Sequence, residues 1–205
     1  AKIQYPCYIQ PKLDGMRALA APFKEMISRK GKDILTMTHI MLEIDRHEAL
    51  RPETKLPGIT LDGELYAHGK TFQENMRLIK KDRGEATEEV KYHVYDLILD
   101  KPFALRYALL QRVVKGLKNV VLVPTIMINN EEELKEHHVL YVGQGYEGTI
   151  IRHTDDGYAV NKRASQLLKY KDFIDETYRV VDILPSDKNP DQGVVHCIND
   201  AGNTF

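Results

Sequence analysis

The sequence has few cysteines, no excess of charge of either sign and no long hydrophobic run. Its 205 residues include only two cysteines, Cys7 and Cys197, which are too few and too far apart for a disulfide framework or a zinc site. A reducing compartment is therefore expected. The formal net charge of −1 provides no global field that attracts a polyanion, so any nucleic-acid contact must come from local basic patches.

The longest apolar run, residues 120–128, is interrupted by Pro124 and is far shorter than the about 18 residues of a membrane span. No charged segment followed by an apolar one opens the chain, so we expect neither secretion nor a membrane anchor. Hydrophobic residues make up 42% and charged residues 29% of the chain. These values indicate an ordinary globular protein, and the length predicts one domain or one domain plus part of a second.

Hydrophobic periodicity predicts a mixed α+β fold with mainly antiparallel sheets flanked by helices, because strands outnumber helices without a regular βαβ alternation. Strands are predicted at residues 8–10, 17–21, 59–67, 92–99, 120–123, 148–152, 178–184 and 193–198. Helices are predicted around residues 37–44, 72–79, 105–117 and 131–141. The last segment, after a loop at 185–192, resembles the opening hairpin of another small β unit.

Two features of residues 131–148 suggest other chemistry but do not fit it. The sequence GQGYEG, residues 143–148, satisfies the glycine pattern of dinucleotide-binding folds, yet it follows a predicted helix and precedes a predicted strand, which is the reverse of the required order. His137 and His138 are adjacent on a predicted helix, where neighbouring side chains point about 100° apart and cannot chelate one ion together. We expect both histidines to be exposed or half-buried.

Acidic residues stand beside glycine at three strand ends, in Asp14-Gly15, Asp62-Gly63-Glu64 and Glu147-Gly148. Glycine lets a backbone approach a ligand closely, and carboxylates supply the hard oxygens that Mg²⁺ prefers. Strand alternation places Asp62 and Glu64 side by side on one face. Near residue 170, Lys169 and Lys171 are two positions apart, so an extended segment would present both to a phosphate.

The stretch QPKLDGMRALA, residues 10–20, has a lysine two positions before an Asp-Gly pair and five before Arg17. Alone it is compatible with a surface turn. The order of motifs is more specific: KLDGMR at 12–17, SRKGK at 28–32, DGEL at 62–65, YHVYD at 92–96, EGTIIR at 147–152 and LKYK at 168–171. With these six motifs in sequence, residues 8–173 closely resemble the nucleotidyltransferase domain of ATP-dependent DNA ligases.

The resemblance implies that Lys12 is the nucleophile that takes AMP from ATP. A lysine amine is inert while protonated, with a reference pKa near ~10.4, and nearby cations or desolvation lower that value enough for attack on phosphorus. Arg17, Lys169, Lys171 and bound Mg²⁺ would be such cations.

The same resemblance implies roles for other residues. Arg17 and Arg29 correspond to contacts to the phosphate of the nicked strand or of the nucleotide. Glu64 corresponds to a ribose or metal contact, with Asp62 beside it. Tyr95 resembles the aromatic residue that stacks on adenine, a contact that needs only the face of the ring.

Glu147 resembles the glutamate that binds the catalytic metal, and Lys169 and Lys171 resemble the pair that holds the α-phosphate and assists loss of pyrophosphate. Gln10 and Leu13 are expected in the nucleotide site. Many relatives have glutamate at the position of Gln10, where it binds the adenine amino group. Glutamine can accept the same hydrogen bond through its carbonyl, so ATP remains the expected nucleotide.

The expected metal is Mg²⁺, with Mn²⁺ as an alternative ion, held by Glu147, Glu64 and Asp62. The expected nucleic-acid contacts are Arg29, Lys30, Lys162 and Arg163. Residues 1–176 would form the nucleotidyltransferase domain, and residues 177–205 the first strands of an oligonucleotide-binding (OB) fold.

The resemblance implies a monomeric ligase core that binds ATP and nicked duplex DNA and seals the nick through a lysyl-AMP intermediate, in DNA replication, repair and recombination. Such an enzyme would be intracellular, in a prokaryotic or virus-infected cytoplasm or in a nucleus. RNA ligases and mRNA-capping guanylyltransferases share the Lys-x-Asp-Gly core, although Arg17 and the Ser28-Arg29 pair favour the DNA enzymes. A non-catalytic module that binds a nucleotide or a nick is a further alternative. The presence of Lys12, Glu147, Lys169 and Lys171 argues against it.

Overall fold

The structure is a computed structural model that describes residues 3–50, 59–153, 157–160, 167–172, 176–187, 189 and 191–205. The chain divides into two compact units, Ala1–Lys171 and Asp172–Phe205. This division falls a few residues before the boundary predicted at residue 176. No helix in the described ranges has the length and apolar composition needed to cross a membrane.

The strands of the first unit are β1 (Cys7–Lys12), β2 (Met16–Ala20), β3 (Ile27–Ser28), β4 (Leu61–Tyr66), β5 (Lys91–Leu97), β6 (Val120–Leu122), β7 (Ile126–Ile128), β8 (Gly148–Arg152) and β9 (Leu167–Tyr170). Its helices are α1 (Thr38–Leu50), α2 (Phe72–Lys80), α3 (Glu85–Glu88), α4 (Phe103–Val113) and α5 (Glu131–Gly143). The second unit contains β10 (Arg179–Pro185) and β11 (Gly193–Ile198).

A five-stranded sheet has the order β3-β2-β4-β5-β6, and all its pairs are antiparallel except β5 with β6. The larger core lies against this sheet and includes Ile40 of α1, Leu65 of β4 and Leu110 of α4. Gly63 allows the close passage of β4 beside β5, since a Cβ there would lie 2.6 Å from the carbonyl oxygen of His93. Any larger residue would therefore separate the two central strands.

A four-stranded antiparallel sheet has the order β7-β1-β8-β9. Its core contains Cys7 and Ile9 of β1, Ile151 of β8 and Leu134 of α5. The register places Lys12 opposite Gly148, and Ile150 opposite Lys169. The lysine motif of β1, the glutamate motif before β8 and the lysine pair at β9 are therefore neighbours in space although they are far apart in sequence.

The prediction of an α+β fold with mainly antiparallel sheets is confirmed. The predicted strand at residues 148–152 matches β8 in both bounds, and the other predicted strands and helices each correspond to an observed element. The helix predicted at 105–117 ends at Val113, and Gly116 follows with a φ of 89°, a conformation typical of the residues that terminate helices. Periodicity did not predict β3, β7 or α3, each of which has no more than four residues.

In the second unit, β10 and β11 form an antiparallel hairpin in which Arg179 lies opposite Ile198. Apolar side chains of this hairpin are exposed, among them Val180, Ile183 and Val195. Both strands are where the sequence predicted them. Their assignment to an OB fold stays a prediction.

Candidate active site

Lys12 is the last residue of β1, where the chain turns from the four-stranded sheet toward the five-stranded sheet. The turn continues through Asp14 and Gly15 into β2. A Cβ on Gly15 would lie 2.2 Å from the carbonyl oxygen of Leu65 on β4, so only glycine permits this approach. The Asp-Gly pair after Lys12 thus brings the lysine to the junction of the two sheets.

Glu147 connects two of the predicted site lysines. Its Oε2 contacts Nζ of Lys12, and its Oε1 accepts a hydrogen bond of 2.8 Å from Nζ of Lys171. The main-chain N–H of Glu147 also donates to the carbonyl oxygen of Lys12 at 3.0 Å. Gly148 follows with a φ of 151°, and a Cβ there would lie 2.5 Å from the carbonyl oxygen of Tyr170, so glycine is needed where β8 and β9 meet.

The surroundings of Lys12 favour its neutral form. The side chain is 12% exposed, and its pKa is lowered to about 8, mainly by burial and then by the positive charges of Lys169 and Lys171. The carboxylates of Asp14 and Glu64 act in the opposite direction. Lys169 and Lys171 therefore influence Lys12 as the sequence predicted for nearby cations, and both are exposed at the edge of the site.

Glu64 is half-buried on β4 and faces the same region. Its pKa is raised to about 8, mainly by burial and then by the neighbouring charge of Asp62, whereas Lys12 and Arg17 act in the opposite direction. Asp62 and Glu64 are two positions apart on β4, so their carboxylates are close enough to repel each other. Glu64 therefore carries a carboxyl group that gains or loses a proton near neutral pH.

Asp62 is only 4% exposed and forms a bidentate ion pair with Arg17. Nε of Arg17 donates to Oδ1 at 2.8 Å, and its NH2 nitrogen donates to Oδ2 at 2.9 Å. The hydroxyl of Tyr158 donates to Oδ2 of Asp62 at 2.6 Å and accepts from NH2 of Arg17 at 2.7 Å. Arg17 was predicted to act as a cation toward Lys12, but in the structure it is paired with Asp62.

Gln10 is 1% exposed, and its amide is hydrogen-bonded within the protein. Its Oε1 accepts from Nε of Arg152 at 2.6 Å, and its Nε2 donates to Oγ1 of Thr125 at 2.7 Å and to the carbonyl oxygen of Tyr95 at 3.3 Å. The structure therefore gives the Gln10 amide partners within the protein, and its expected contact with adenine stays a prediction. A buried glutamine must satisfy its amide group, and here neighbouring residues do so.

Behind Gln10, Asp96 of β5 is bound by two arginines. Arg106 of α4 donates through Nε to Oδ1 at 2.7 Å, and Arg152 of β8 donates through NH1 to Oδ2 at 2.7 Å. The guanidinium carbon of Arg152 lies 5.3 Å from the ring centroid of Tyr95, within the range of a cation–π contact. Burial raises the pKa of the Tyr95 hydroxyl well above its ordinary value, so the ring stays neutral.

The sequence did not predict the contacts that Arg106, Arg152, Thr125 and Tyr158 make around these residues. Arg152 ends a recognised motif, but its partners Gln10 and Asp96 are 142 and 56 positions away.

His138 was expected at the surface or half-buried, yet it is 5% exposed, and its Nδ1 lies 3.0 Å from Oγ1 of Thr149.

The remaining predicted residues are dispersed. Leu13 is half-buried beside Lys12, whereas Arg29 and Lys30 are exposed after β3. Lys162 and Arg163 lie outside the described residues. Within the described ranges, no three or more histidine, cysteine, aspartate or glutamate side chains form a group that could hold a metal. The predicted ligands Glu147, Glu64 and Asp62 are therefore not assembled into a single preformed cluster.

Comparison with known proteins gives a consistent result. A family model described as the ATP dependent DNA ligase domain matches residues 1–171. The DNA ligase of Enterobacteria phage T4 is 25% identical over 238 aligned positions, which cover 92% of this chain and 49% of that ligase. A DNA ligase of African swine fever virus is 26% identical over 203 positions, which cover 91% of this chain and 46% of that ligase. The chain thus spans about half the length of the curated relatives it matches.

Solved structures share the fold. Pmar-Lig_PreS3 superposes with a TM-score of 0.82 at 26% identity, covering 97% of this chain and 50% of that one. A Lig E DNA ligase superposes with a TM-score of 0.79 at 20% identity, covering 98% and 76%. The family match extends over residues 1–171, which contain all six motifs, including those of Lys12 and Glu147. This chain belongs to the ATP-dependent DNA ligase domain family.

Proposed function

We propose that this chain is the catalytic core of an ATP-dependent DNA ligase that seals nicks in duplex DNA through a lysyl-AMP intermediate. The observation that supports this most strongly is the environment of Lys12. Its amine is largely buried, its pKa is lowered to about 8, and Glu147, Lys169 and Lys171 surround it. A lysine whose pKa is lowered beside other cations is suited to attack a phosphoanhydride.

In the proposed first step, Nζ of Lys12 attacks the α-phosphorus of ATP. A nitrogen–phosphorus bond forms, the bond from phosphorus to the bridging oxygen breaks, and pyrophosphate leaves. The amine must lose its proton, and a pKa of about 8 leaves a substantial neutral fraction near that pH. AMP then passes to the 5′-phosphate at the nick, and the 3′-hydroxyl displaces it to form the phosphodiester bond.

Lys169 and Lys171 are proposed to bind the phosphates. Both are exposed on or next to β9, and Lys171 already donates to a carboxylate oxygen of Glu147. A phosphate that replaces this carboxylate would gain the same donor. Positive charge placed where charge accumulates in an in-line displacement is the main form of catalysis in phosphoryl and nucleotidyl transfer.

Tyr95 is proposed to stack on adenine, with Leu13 beside it in the nucleotide site. Arg152 lies against the Tyr95 ring, and Gln10 holds the main-chain carbonyl of Tyr95. We therefore assign Gln10 to positioning the base-binding strand rather than to contacting the base through an exposed amide. The family is ATP-dependent, and this arrangement is compatible with ATP as its nucleotide.

Mg²⁺, with Mn²⁺ as an alternative, is proposed to bind at Glu147 and Glu64. Both carboxylates lie near Lys12 and offer hard oxygen ligands, which fit an ion that takes one or two carboxylates together with substrate phosphates and water. When bound, the ion would neutralise phosphate charge. Asp62 is not retained as a ligand, because both of its oxygens are engaged by Arg17 and Tyr158.

Nicked duplex DNA is the proposed partner, and the first unit has exposed basic side chains that fit its phosphates. Arg29 and Lys30 are exposed after β3. A groove along α2 is lined by Phe72 and Met76 and by the basic residues Arg77, Lys80, Lys81 and Arg83. Such a groove can follow a sugar–phosphate backbone without reading sequence. Lys162 and Arg163 remain predicted contacts.

We further propose that residues 1–176 form the nucleotidyltransferase domain and that residues 177–205 begin an OB fold. The exposed apolar side chains of the β10–β11 hairpin support the second assignment, because an isolated two-stranded hairpin is at best marginally stable in water. The protein is proposed to be an intracellular monomer, in a prokaryotic or virus-infected cytoplasm or a nucleus, that acts in DNA replication, repair and recombination.

The test is to incubate the chain with Mg²⁺ and α-labelled ATP, with GTP in parallel, and to measure an acid-labile adduct by intact mass. AMP on the native chain and none on Lys12→Ala is the expected result. A GMP adduct would instead identify a guanylyltransferase. If neither nucleotide reacts and a pre-adenylated nick is not sealed, the ligase proposal is wrong and a binding module is favoured.

A further inference from the structure

Tyr158 lies outside all six recognised motifs, yet its hydroxyl belongs to the Arg17–Asp62 ion pair. The hydroxyl donates to Oδ2 of Asp62 and accepts from NH2 of Arg17, at 2.6 and 2.7 Å. Burial and the adjacent charge of Asp62 raise the pKa of this hydroxyl well above its ordinary value, so it keeps its proton. Each of the three groups therefore touches the other two.

The hydrogen bonds among Arg17, Asp62 and Tyr158 determine which N–H donors of Arg17 remain without a partner. A guanidinium has five N–H donors in a fixed planar fork. Nε uses its hydrogen on Asp62, and NH2 uses one on Asp62 and one on Tyr158. The two donors of NH1 have no hydrogen-bond partner among the described residues, and the Arg17 side chain is 38% exposed. NH1 is thus the part of the guanidinium that can bind an anion.

Tyr158 is itself held by the segment that joins β5 to α4. Its main-chain N–H donates to the carbonyl oxygen of Leu99 at 3.3 Å. The preceding Gly157 packs so closely that a Cβ there would lie 2.2 Å from Oδ1 of Asp100. The guanidinium carbon of Arg106 lies 5.8 Å from the Tyr158 ring centroid. The hydroxyl is therefore fixed by its surroundings and can orient a more mobile partner.

We propose that Tyr158 is a positioning residue, whose hydroxyl holds the Arg17 guanidinium against Asp62 so that NH1 is presented to a substrate phosphate. This inference rests on the proposed function for the identity of the phosphate, which we take to be that of the adenylated nick. Without the hydroxyl, Arg17 keeps its pairing with Asp62 but loses the third bond that fixes the plane of the fork.

The kinetic test uses Tyr158→Phe, which removes the hydroxyl and keeps the ring. We expect the single-turnover rate of sealing a pre-adenylated nicked duplex to fall about tenfold, the effect of losing one hydrogen bond to a charged group, with the affinity for the duplex changed by less than about twofold. Tyr107→Phe is the matched control, because it removes a hydroxyl that donates to the carbonyl oxygen of Val123 at 3.3 Å.

A double-mutant cycle shows whether Tyr158 acts through Arg17. In an Arg17→Ala background, adding Tyr158→Phe should change the sealing rate by less than about twofold, because the positioned group is already absent. An equal loss in both backgrounds, or no loss with Arg17 present, would overturn the proposal. Neither pattern would affect the assignment of Lys12 as the nucleophile.

A second measurement does not depend on activity. The rate at which phenylglyoxal modifies Arg17 can be followed by peptide mass spectrometry in the native chain and in Tyr158→Phe. A guanidinium released from one of its three bonds should react several times faster, and Tyr107→Phe should leave the rate unchanged. If the Arg17 rate is the same in all three proteins, the positioning role is wrong even where sealing is observed. If the native chain neither takes AMP nor seals a nick, the ligase proposal fails, and this rate alone decides the role of Tyr158.

Discussion

Lys12 and Gly148 lie opposite each other in the antiparallel pairing of β1 with β8. Because Glu147 immediately precedes Gly148, this register brings its carboxylate into contact with the lysine amine. The partner strand β9 then adds Lys169 from the other side of β8, and Lys171 follows directly after the strand ends. The proposed nucleophile and its charged neighbours are therefore brought together by strand pairing.

Lys12→Arg should abolish AMP attachment and leave the fold intact. Arginine keeps a positive charge beside Glu147, but its guanidinium cannot be deprotonated in proteins and so cannot attack phosphorus. Intact mass after incubation with ATP and Mg²⁺ measures the adduct, and thermal unfolding measures the fold. Lys91→Arg is the control, since Lys91, at the start of β5, donates to the side chain of Asn119 outside the proposed site. An AMP adduct on the Lys12→Arg protein would show that another residue is the nucleophile.

The rate of AMP attachment should rise with pH through about 8 and then level off, because only the neutral amine of Lys12 attacks. Lys171→Met should move this rise to higher pH. The substitution removes a positive charge that lowers the pKa of Lys12 and leaves the whole Glu147 carboxylate to favour the charged amine. Lys135→Met, on the exposed side of α5, should leave the profile in place. If the profile of Lys171→Met shifts to lower pH instead, Lys171 does not lower the pKa of Lys12.

Tyr95→Ala should weaken ATP binding by about 1 to 3 kcal/mol, the range for losing one base–aromatic stack. Tyr95→Phe keeps the ring and should bind ATP nearly as the native chain does. Calorimetric titration with ATP in a Lys12→Arg background isolates binding from chemistry. If the Tyr95→Ala protein binds ATP as tightly as the protein with the native tyrosine, Tyr95 does not belong to the adenine site.

Glu64 should make the protein less stable as pH rises from about 4.5 to about 8. The folded-state pKa is raised to about 8, so in this window the folded chain keeps a proton that the unfolded chain has lost, and the free energy of unfolding falls. Glu64→Gln removes this dependence. It should be more stable than the native chain by on the order of 1 to 3 kcal/mol above pH 8, less than the whole shift would give because the carboxyl is only half-buried.

Denaturant unfolding at several pH values measures this difference, and Glu136→Gln on the exposed face of α5 is the control. Below about pH 4.5 the two proteins should converge apart from a constant offset. A stability gap that widens toward low pH would mean that the carboxyl of Glu64 is ionised in the folded state.

The groove along α2 should contribute to DNA binding without selecting sequence. Lys80→Ala and Arg83→Ala should each weaken binding of a nicked duplex and reduce the slope of log affinity against log salt concentration by about 1. AMP attachment to Lys12 should be unaffected. Lys118→Ala changes an exposed lysine outside the groove and should leave the slope unchanged. Identical slopes for all these proteins would exclude phosphate contacts at α2.

The sequence predicted elements whose periodicity is long and regular. Residues 148–152 and 193–198 were predicted as strands, and they form β8 and β11 with the predicted bounds. The strand β7 has three residues directly after Pro124 and Thr125, too short for a pattern to appear. Local propensity predicts what a segment can form, whereas β7 exists because β1 offers it an antiparallel edge.

The same limit applies to the site. The motif order led to Lys12 and Glu147, whose contact the structure shows, because each carries a recognisable local signature. Gln10 carried such a signature too, but its orientation depends on Arg152, which is 142 positions away. Tyr158 and Arg17 are likewise separated by 141 positions. A hydrogen bond between distant residues leaves no periodicity in a single sequence, so these pairs become visible only in the folded chain.

The carboxylate of Asp96 links the two sheets of the first unit. Asp96 belongs to the five-stranded sheet, and Arg152 belongs to the four-stranded sheet, so their ion pair spans the seam between the two halves of the first unit. The hydrogen bond from Gln10 to the carbonyl of Tyr95 crosses the same seam. Lys12 is on one side and Glu64 on the other. A few directional hydrogen bonds and ion pairs therefore hold Lys12 and Glu64 at a fixed spacing. Such polar contacts resist sliding of one sheet against the other more strongly than apolar packing would.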